Sequence, residues 1–369
     1  MGSPGRWSNS IARVSSVTVR PMVSEANTRR LTFPDFGAVQ DHFHANGWTD
    51  GLPVVPPTPD AVAAMLVGGL LAPDHLVGVE PVRRRAVTAE KVAINAVMAG
   101  CRPCDFPVVV TALTGMLDER YLLHGSSAST GGCGVLVVVN GPIRHEIGMD
   151  ATFNAVGPSD RSGTCIGRAI RLVLGNLFEV RPGQIDRSTL GHPGKISYCI
   201  AEDEEHTPWA SLSAERIGDP NASAVTVMAA MGPRQIMNEW TTDPAEILDT
   251  FVAEMKANMA HYSIWAGNYA IVIPPQLRAH FDAAGWSKAD IREYVFQQAR
   301  IHRRAWAEVG KANAVGDKGD REYAALTRPE DLLVIAAGGP AGGFGAVIPP
   351  WLGGKTEAVT VPVGACIDC

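Results

Sequence analysis

Two Cys-x-x-Cys pairs are the most reactive groupings in this sequence. Cys101 and Cys104 form one pair, and Cys366 and Cys369 form the other within the last four residues. Closely spaced thiols can cycle between thiol and disulfide, and four thiolates match the ligand set of a zinc or iron–sulfur site. Because about 260 residues separate the pairs, only folding could unite them. The alternative to a redox or metal-binding role is that Cys101 and Cys104 are simply small buried side chains and that the tail with Cys366 and Cys369 has no function.

A glycine-rich loop before the most apolar run has the features of a nucleophile site. Cys133 lies in Ser-Thr-Gly-Gly-Cys-Gly, directly before the predicted buried strand Gly-Val-Leu-Val-Val-Val-Asn. Glycines let backbone N–H groups approach a ligand and stabilise a thiolate or an oxyanion. His124, in the same loop, is the candidate base or orienting group. The expected catalytic residues are therefore Cys101, Cys104, Cys133, Cys366, Cys369 and His124.

Polar residues beside predicted loops and strand ends are candidates for holding a substrate. His192 and Lys195 precede the predicted strand Ile-Ser-Tyr-Cys-Ile-Ala, and Glu202 follows it. A base, a cation and a carboxylate in this arrangement suit acid–base chemistry or an anionic substrate. Asp50, in the rigid loop Gly-Trp-Thr-Asp-Gly-Leu-Pro, is a further candidate, although an Asp-Gly turn is its simpler interpretation.

A second glycine-rich loop, Ala-Ala-Gly-Gly-Pro-Ala-Gly-Gly-Phe-Gly, follows another apolar strand. Such a loop can cradle a carboxylate or a phosphate through its backbone N–H groups. The spacing is not Gly-x-Gly-x-x-Gly and no Lys-Ser/Thr follows, so the sequence does not support a nucleotide fingerprint, and a close-packed backbone bend is the alternative to a substrate loop. We expect Gly339, Gly342 and Gly343 to contribute to a substrate loop.

Predicted helices and strands alternate along the chain, which favours an α/β fold with mixed or parallel sheets flanked by helices. Thr88 and Gly100 are expected to bound one helix, Thr164 to cap another, and Ser287 with Asp290 to form a capping box. A polar, proline-punctuated stretch near residues 208–222 predicts a division into two α/β lobes, 31–215 and 216–369, after a loose N-terminal arm, 1–30.

The composition limits the classes of function. Of 369 residues, 46% are hydrophobic and 19% are charged, and the formal net charge is −6. A compact globular protein is expected, and nucleic acid is an unfavourable partner for this charge. The sequence has neither a membrane-length apolar run nor an apolar signal segment, which predicts a cytoplasmic protein. Its seven cysteines would be reduced in that compartment.

Several stretches after residue 45 resemble a family of bacterial proteins that accompanies small proteins with a UGSC (selenocysteine or cysteine) motif. They include Gly-Trp-Thr-Asp-Gly-Leu-Pro, Ile-Gly-Arg-Ala-Ile-Arg-Leu-Val-Leu-Gly-Asn and Gly-Trp-Ser-Lys-Ala-Asp-Ile-Arg. The resemblance implies a thiol or selenol context and no established activity. The cysteines at 104 and 133 and the Cys-Ile-Asp-Cys tail depart from the family pattern, so they inherit no role from it.

These observations lead to three hypotheses. The first is a cysteine-dependent enzyme that acts on a small molecule by thiol redox, sulfur transfer or C–S chemistry. The second is a zinc or iron–sulfur hydratase or lyase with Cys101, Cys104, Cys366 and Cys369 as ligands. The third is a non-catalytic, thiol-rich protein that binds metal or a partner. We also expect a homo-oligomer and, from the resemblance, a thiol or selenol partner protein.

Overall fold

The computed structural model describes residues 17–18, 28, 30–352 and 356–364, and it confirms the α/β class. Most of the predicted N-terminal arm and the whole Cys366/Cys369 tail lie outside these residues. Eleven α-helices occur in the described part of the chain: α1 (Phe36–Ala45), α2 (Pro59–Gly68), α3 (Ala89–Ala99), α4 (Phe106–Leu117), α5 (Leu123–Ser127), α6 (Ile143–Glu146), α7 (Arg161–Asn176), α8 (Leu212–Ile217), α9 (Pro244–His261), α10 (Pro275–Ala283) and α11 (Lys288–Gln298).

Helix ends follow the local capping chemistry, with one correction. The backbone N–H of Ser287 donates to the Asp290 carboxylate and that of Asp290 to the Ser287 hydroxyl, which is the predicted capping box of α11. Gly100 ends α3 at φ +92°. The expected cap of α7 at Thr164 is wrong: Asp160 accepts a hydrogen bond from the N–H of Gly163 at 2.6 Å, so the helix begins one turn earlier.

The strands form two four-stranded sheets and three short ribbons. Their bounds are β1 (Val17–Thr18), β2 (Thr32–Phe33), β3 (Leu76–Val79), β4 (Ala86–Thr88), β5 (Gly134–Asn140), β6 (Cys199–Ala201), β7 (Ala224–Ala230), β8 (Arg234–Met237), β9 (Tyr269–Ile273), β10 (Arg300–His302), β11 (Glu322–Ala324), β12 (Leu332–Ala336), β13 (Phe344–Ile348) and β14 (Val359–Pro362). The ribbons are β1–β2, β3–β4 and β10–β11.

The two large sheets have the same pattern of parallel and antiparallel strand pairing. The first has the order β6-β5-β7-β14 and the second has the order β12-β9-β13-β8. In each, the first two strands are parallel and the remaining pairs are antiparallel. Both parallel pairs are joined through helices, α7 in the first sheet and α10 with α11 in the second. The chain therefore builds one sheet architecture twice.

The two sheets exchange their edge strands. After β7 of the first sheet the chain crosses to β8 of the second, and after β13 of the second it returns to β14 of the first. The two connecting segments form backbone hydrogen bonds with each other. The N–H of Met231 donates to the carbonyl of Pro349, and the N–H of Trp351 donates to the carbonyl of Ala229, each at 2.9 Å. This exchange ties the sheets together through the backbone.

The sheets pack face to face between two layers of helices. Along β5, Leu136 and Val138 belong to the cluster between the sheets, whereas Val137 and Val139 face the helices of the first sheet. The alternation is that of a strand buried on both faces. Helices α2, α3, α4 and α7 cover the first sheet, and α9, α10 and α11 cover the second. The order of the layers is α/β/β/α.

The predicted lobe boundary at 215/216 does not follow the sheets. It falls within α8, and two strands beyond it, β7 and β14, belong to the first sheet. The sequence around residues 215 and 216 does not indicate which sheet the later strands join, because strand pairing depends on interactions across the whole fold.

Candidate functional site

Two adjoining hollows form a cleft that brings predicted site residues together. The glycine-loop hollow has a volume of about 500 Å³ and is lined by parts of 153–157 and 337–346 with Pro233, Gln235, Val272 and Pro274. The His192 hollow has a volume of about 530 Å³ and is lined by 156–158, Thr164, 192–194, 196–199 and 232–233. Val156, Gly157 and Pro233 line both, so the hollows share a wall. Each is large enough for a small molecule.

The glycine-loop hollow presents unpaired backbone donors. Gly338 and Gly342 adopt φ of +121° and +94°, which residues with a side chain rarely adopt. The N–H groups of Gly339, Ala341 and Gly342 have no acceptor among the described residues, whereas the N–H of Gly343 donates to Glu239 at 2.6 Å. Gly343 itself does not line the hollow. The loop therefore offers hydrogen-bond donors to a carbonyl or an anionic oxygen.

His192 supplies a neutral imidazole at the wall of its hollow. Its Nε2 lies 3.3 Å from the carbonyl oxygen of Ala230, which assigns the ring proton to Nε2 and leaves Nδ1 as an acceptor. Nδ1 is buried without a hydrogen-bond partner in the described structure, beneath Gly194 and Gly232. Burial lowers the pKa of His192 below 6.5, and the charge of Lys195 adds to this shift. The ring is therefore uncharged near neutral pH and has a free lone pair.

Each of the two hollows is lined by uncharged residues. Among the described lining residues there is no aspartate, glutamate, lysine or arginine. The polar side chains include Asn154 and Gln235, and neither amide makes a side-chain hydrogen bond within the described structure. Sequence reasoning missed both residues because a single amide, in a turn for Asn154 and on strand β8 for Gln235, has no local signature. The positive φ of Asn154, +57°, is a structural mark of its unusual position.

Lys195 and Cys133 lie at a different place, a cavity of about 30 Å³. The ammonium of Lys195 donates to Asp186 at 2.6 Å and to the Ser188 hydroxyl at 2.8 Å, which places it away from the expected substrate. Burial raises the pKa of Cys133 to about 12, although the charge of Lys195 opposes the shift. A cavity of this size holds about one water molecule. This position favours a protonated, unreactive thiol.

The expected base of Cys133 does not contact it. Both residues are described, and no hydrogen bond joins His124 to Cys133; the thiol instead donates to the carbonyl of Ser126 at 3.4 Å. His124 lies on the short helix α5, and its Nδ1 is buried without a partner in the described structure. The structure therefore does not form the expected Cys/His pair.

The pair Cys101/Cys104 packs beside α7 rather than in the cleft. Cys101 packs in the hydrophobic core between the first sheet and its helices. Burial raises the pKa values of Cys101, Cys165 and Cys199. All five cysteines in the described residues are free. No group of three or more histidine, cysteine, aspartate or glutamate side chains within that part of the chain could hold a metal ion. Cys366 and Cys369 lie outside it, so a four-cysteine site stays a prediction.

Asp50 has a structural partner that the sequence did not indicate. Its two carboxylate oxygens accept hydrogen bonds from Arg168 at 2.9 Å each, and Arg168 also donates to the carbonyl of Pro53. Burial of Asp50 opposes ionisation, but the bonds and charge of Arg168 outweigh it and lower the pKa of the carboxyl. This fork fastens the proline-rich loop to α7, and Asp50 does not line the cleft.

Glu202 is likewise engaged inside the protein. It accepts from Lys288 at 2.7 Å, Asn140 at 2.6 Å and the N–H of Leu212 at 2.7 Å. Asp203, the next residue, accepts from Arg278 at 2.5 Å. The carboxylates of Glu202 and Asp203, the first two of four consecutive acidic residues, are therefore buried and face cations of the second sheet's helices. Glu202 is placed as a structural residue, away from the expected substrate.

No family model matches this chain, and no curated protein is significantly similar to it. The resemblance to the UGSC-associated family therefore stays a prediction. None of the helices in the described residues is long and apolar enough to cross a bilayer.

Proposed function

We propose that this protein is an enzyme that transfers protons on an uncharged small carbonyl compound, with His192 as the general base. The observation that carries the proposal is the neutral, unpaired imidazole at the wall of a cleft that would hold such a molecule. A base must be uncharged at the working pH to accept a proton, and burial keeps His192 so.

The reaction would proceed by removal of a proton from the carbon next to the carbonyl. Nδ1 of His192 takes the proton, the C–H electron pair moves to form an enolate, and the imidazole becomes an imidazolium that later returns the proton. The N–H groups of Gly339, Ala341 and Gly342 would stabilise the enolate oxygen if the substrate crosses the shared wall of the hollows. Nδ1 is covered by the backbone at Gly194 and Gly232, so the proposed proton transfer requires these two glycines, which carry no side chains, to move aside.

The uncharged lining sets the class of substrate. Taking a carboxylate or ammonium out of water costs several kcal/mol unless a countercharge is present. No charged side chain lines either hollow in the described structure. Ketones, amides and lactones are therefore favoured over acids, phosphates and amines.

A cysteine-dependent reaction is the second candidate, with Cys199 in place of Cys133. Of the described cysteines, Cys199 alone lines the cleft, in the same hollow as His192. Burial raises its pKa, which argues against a resting thiolate. The free thiols are consistent with the reducing cytoplasm, and we propose that the protein acts there. We also propose that it forms a homo-oligomer and that a thiol or selenol protein is its partner.

Deuterium exchange at carbon tests the first proposal across many compounds at once. The protein is incubated in D₂O with a panel of small ketones, lactones and amides, and loss of the α-proton signal is followed by ¹H NMR. We expect catalysed exchange of at least one compound, reduced 100-fold or more in His192→Asn and unchanged in His44→Asn, an exposed histidine on α1. No catalysed exchange across the panel, or equal exchange in His192→Asn, would overturn the proposal.

A further inference from the structure

A second pocket lies on the outer side of the first sheet's helices, apart from the cleft. It has a volume of about 340 Å³, and its lining shares no residue with either hollow. We name it the Trp48 pocket. Its described lining includes the aromatic residues Phe33, Phe43 and Trp48, the amides Asn95 and Asn176, and Lys91.

Aromatic rings form one wall of the Trp48 pocket. The ring of Phe43 meets that of Trp48 edge-on at 5.3 Å between centroids, and Phe33 lies 6.4 Å from Phe43. His42 packs behind this wall, 5.1 Å from Phe33 and 5.4 Å from Trp48. Edge-to-face contacts of this kind hold the rings in place, so the wall is preformed rather than assembled by a ligand.

Two amide side chains, Asn95 and Asn176, form another wall of the Trp48 pocket, the amide wall. Asn176 donates through Nδ2 to Asn95 at 2.7 Å and to the carbonyl of Trp48 at 3.0 Å, which uses both of its N–H groups. Asn95 in turn donates to the carbonyl of Lys91 at 2.8 Å. This chain of bonds links α3, α7 and the loop that carries Trp48. These hydrogen bonds therefore tie together three of the segments that line the pocket.

A single cation stands at the edge of the amide wall. Lys91 is exposed at the start of α3, and it makes no ion pair with any described residue. An anionic group on a bound molecule would meet this ammonium without having to enter the apolar interior. The arrangement of an aromatic wall, an apolar floor and one cation at the rim is asymmetric, so it would orient a ligand.

The geometry points to a binding site for a planar aromatic acid, with the ring against Phe43 and Trp48 and the acidic group at Lys91. The pocket is more than twice the size of an apolar cavity of about 150 Å³ that binds benzene in an engineered protein, so a bicyclic ring is a reasonable size. Apolar ligands gain dispersion contacts when they fill such a space. This site is independent of the proposed chemistry at His192.

Binding of 2-naphthoate to the full-length protein tests this inference. Isothermal titration gives the affinity, and saturation-transfer NMR reports contact of the naphthalene protons with the protein. We expect saturable binding, weakened about fivefold or more in Lys91→Glu because an attractive charge becomes a repulsive one. Naphthalene-2-methylamine, which has the same ring and the opposite charge, should bind more weakly to the wild type and regain affinity in Lys91→Glu.

A variant that fills the pocket separates specific binding from adsorption. Ile94→Trp introduces a large side chain at the partly buried wall and should abolish binding of 2-naphthoate. Val67→Trp places the same side chain on the exposed face of α2, where Val67 is 57% accessible, and should bind as the wild type does. Circular dichroism checks that both variants fold. Absence of saturable binding to the wild type, or equal binding to Ile94→Trp and Val67→Trp, would overturn the inference.

Discussion

The ammonium of Lys288 lies 2.7 Å from the carboxylate of Glu202, and both side chains are almost fully buried. The pair joins the end of β6 in the first sheet to the start of α11, which covers the second. Removal of one partner leaves an unpaired charge out of water, which costs about 3–5 kcal/mol. We expect Lys288→Met to lower the free energy of unfolding by that amount, measured by urea denaturation.

The double variant Glu202→Gln/Lys288→Met is the matched control for this prediction. Since it leaves no uncompensated charge, it should recover part of the lost stability. Equal stability of Lys288→Met and the wild type would show that the pair does not hold the two sheets together.

The fork between Asp50 and Arg168 makes stability depend on pH in the acidic range. The pKa of Asp50 in the folded protein lies below its ordinary value of 3.8. The stabilisation is therefore fully present above that value and is lost as the pH falls from 3.8 through the lower, folded pKa. We expect Asp50→Asn to cost about 2 kcal/mol at pH 7 and to flatten the acid side of a plot of unfolding free energy against pH. An unchanged acid slope in Asp50→Asn would contradict this assignment.

His192 should produce a pH effect of its own nearer to neutrality. Its pKa in the folded protein lies below 6.5, so the unfolded chain binds a proton first as the pH falls. Stability should accordingly be complete above about pH 6.5 and decline as the pH falls toward the folded pKa. The Cε1 proton signal of His192, assigned from its absence in His192→Asn, should titrate below pH 6.5. A midpoint at or above 6.5 would show that burial does not keep this imidazole neutral.

Gly339 should control access to the glycine-loop hollow. A β-carbon there would lie 2.5 Å from Cδ1 of Phe153, whose ring is exposed and can move. We expect Gly339→Ala to cost less than about 1 kcal/mol of stability and to reduce the proposed deuterium exchange at least tenfold. Gly175→Ala in α7 is the control: its β-carbon meets no atom within 4 Å, and alanine should stabilise the helix by about 0.5–1 kcal/mol without changing exchange.

The buried cysteines should resist thiol reagents while the protein is folded. Burial raises the pKa values of Cys101 and Cys199, and that of Cys133 to about 12, so little thiolate exists at pH 8. In the variant Cys366→Ser/Cys369→Ser, these three thiols should react with an aromatic disulfide reagent slowly in buffer and rapidly in denaturant. Fast reaction of Cys133 in the folded protein would return the cysteine-dependent mechanism to first place.

Elements that depend on neighbouring residues could be predicted from the amino-acid sequence. The apolar run at β5, the capping box of Ser287 and Asp290, and the left-handed end of α3 at Gly100 all follow from interactions within a few residues. The α/β class follows from their alternation. The start of α7 was predicted at the wrong residue because Asp160 and Thr164 are both suitable caps by residue type. The local sequence alone does not decide between them, and in the structure Asp160 is the cap.

Contacts between residues that are far apart in the sequence could be learned only from the folded chain. Lys288 is 86 residues from Glu202, and Arg168 is 118 residues from Asp50, so neither pairing leaves a periodic or local mark in the sequence. The exchange of β8 and β14 between the sheets is likewise a matter of global pairing. The cleft forms where loops that are distant in sequence meet at Val156, Gly157 and Pro233. Whether a backbone N–H group in this cleft lacks an acceptor depends on the positions of all surrounding residues, which only the folded structure gives.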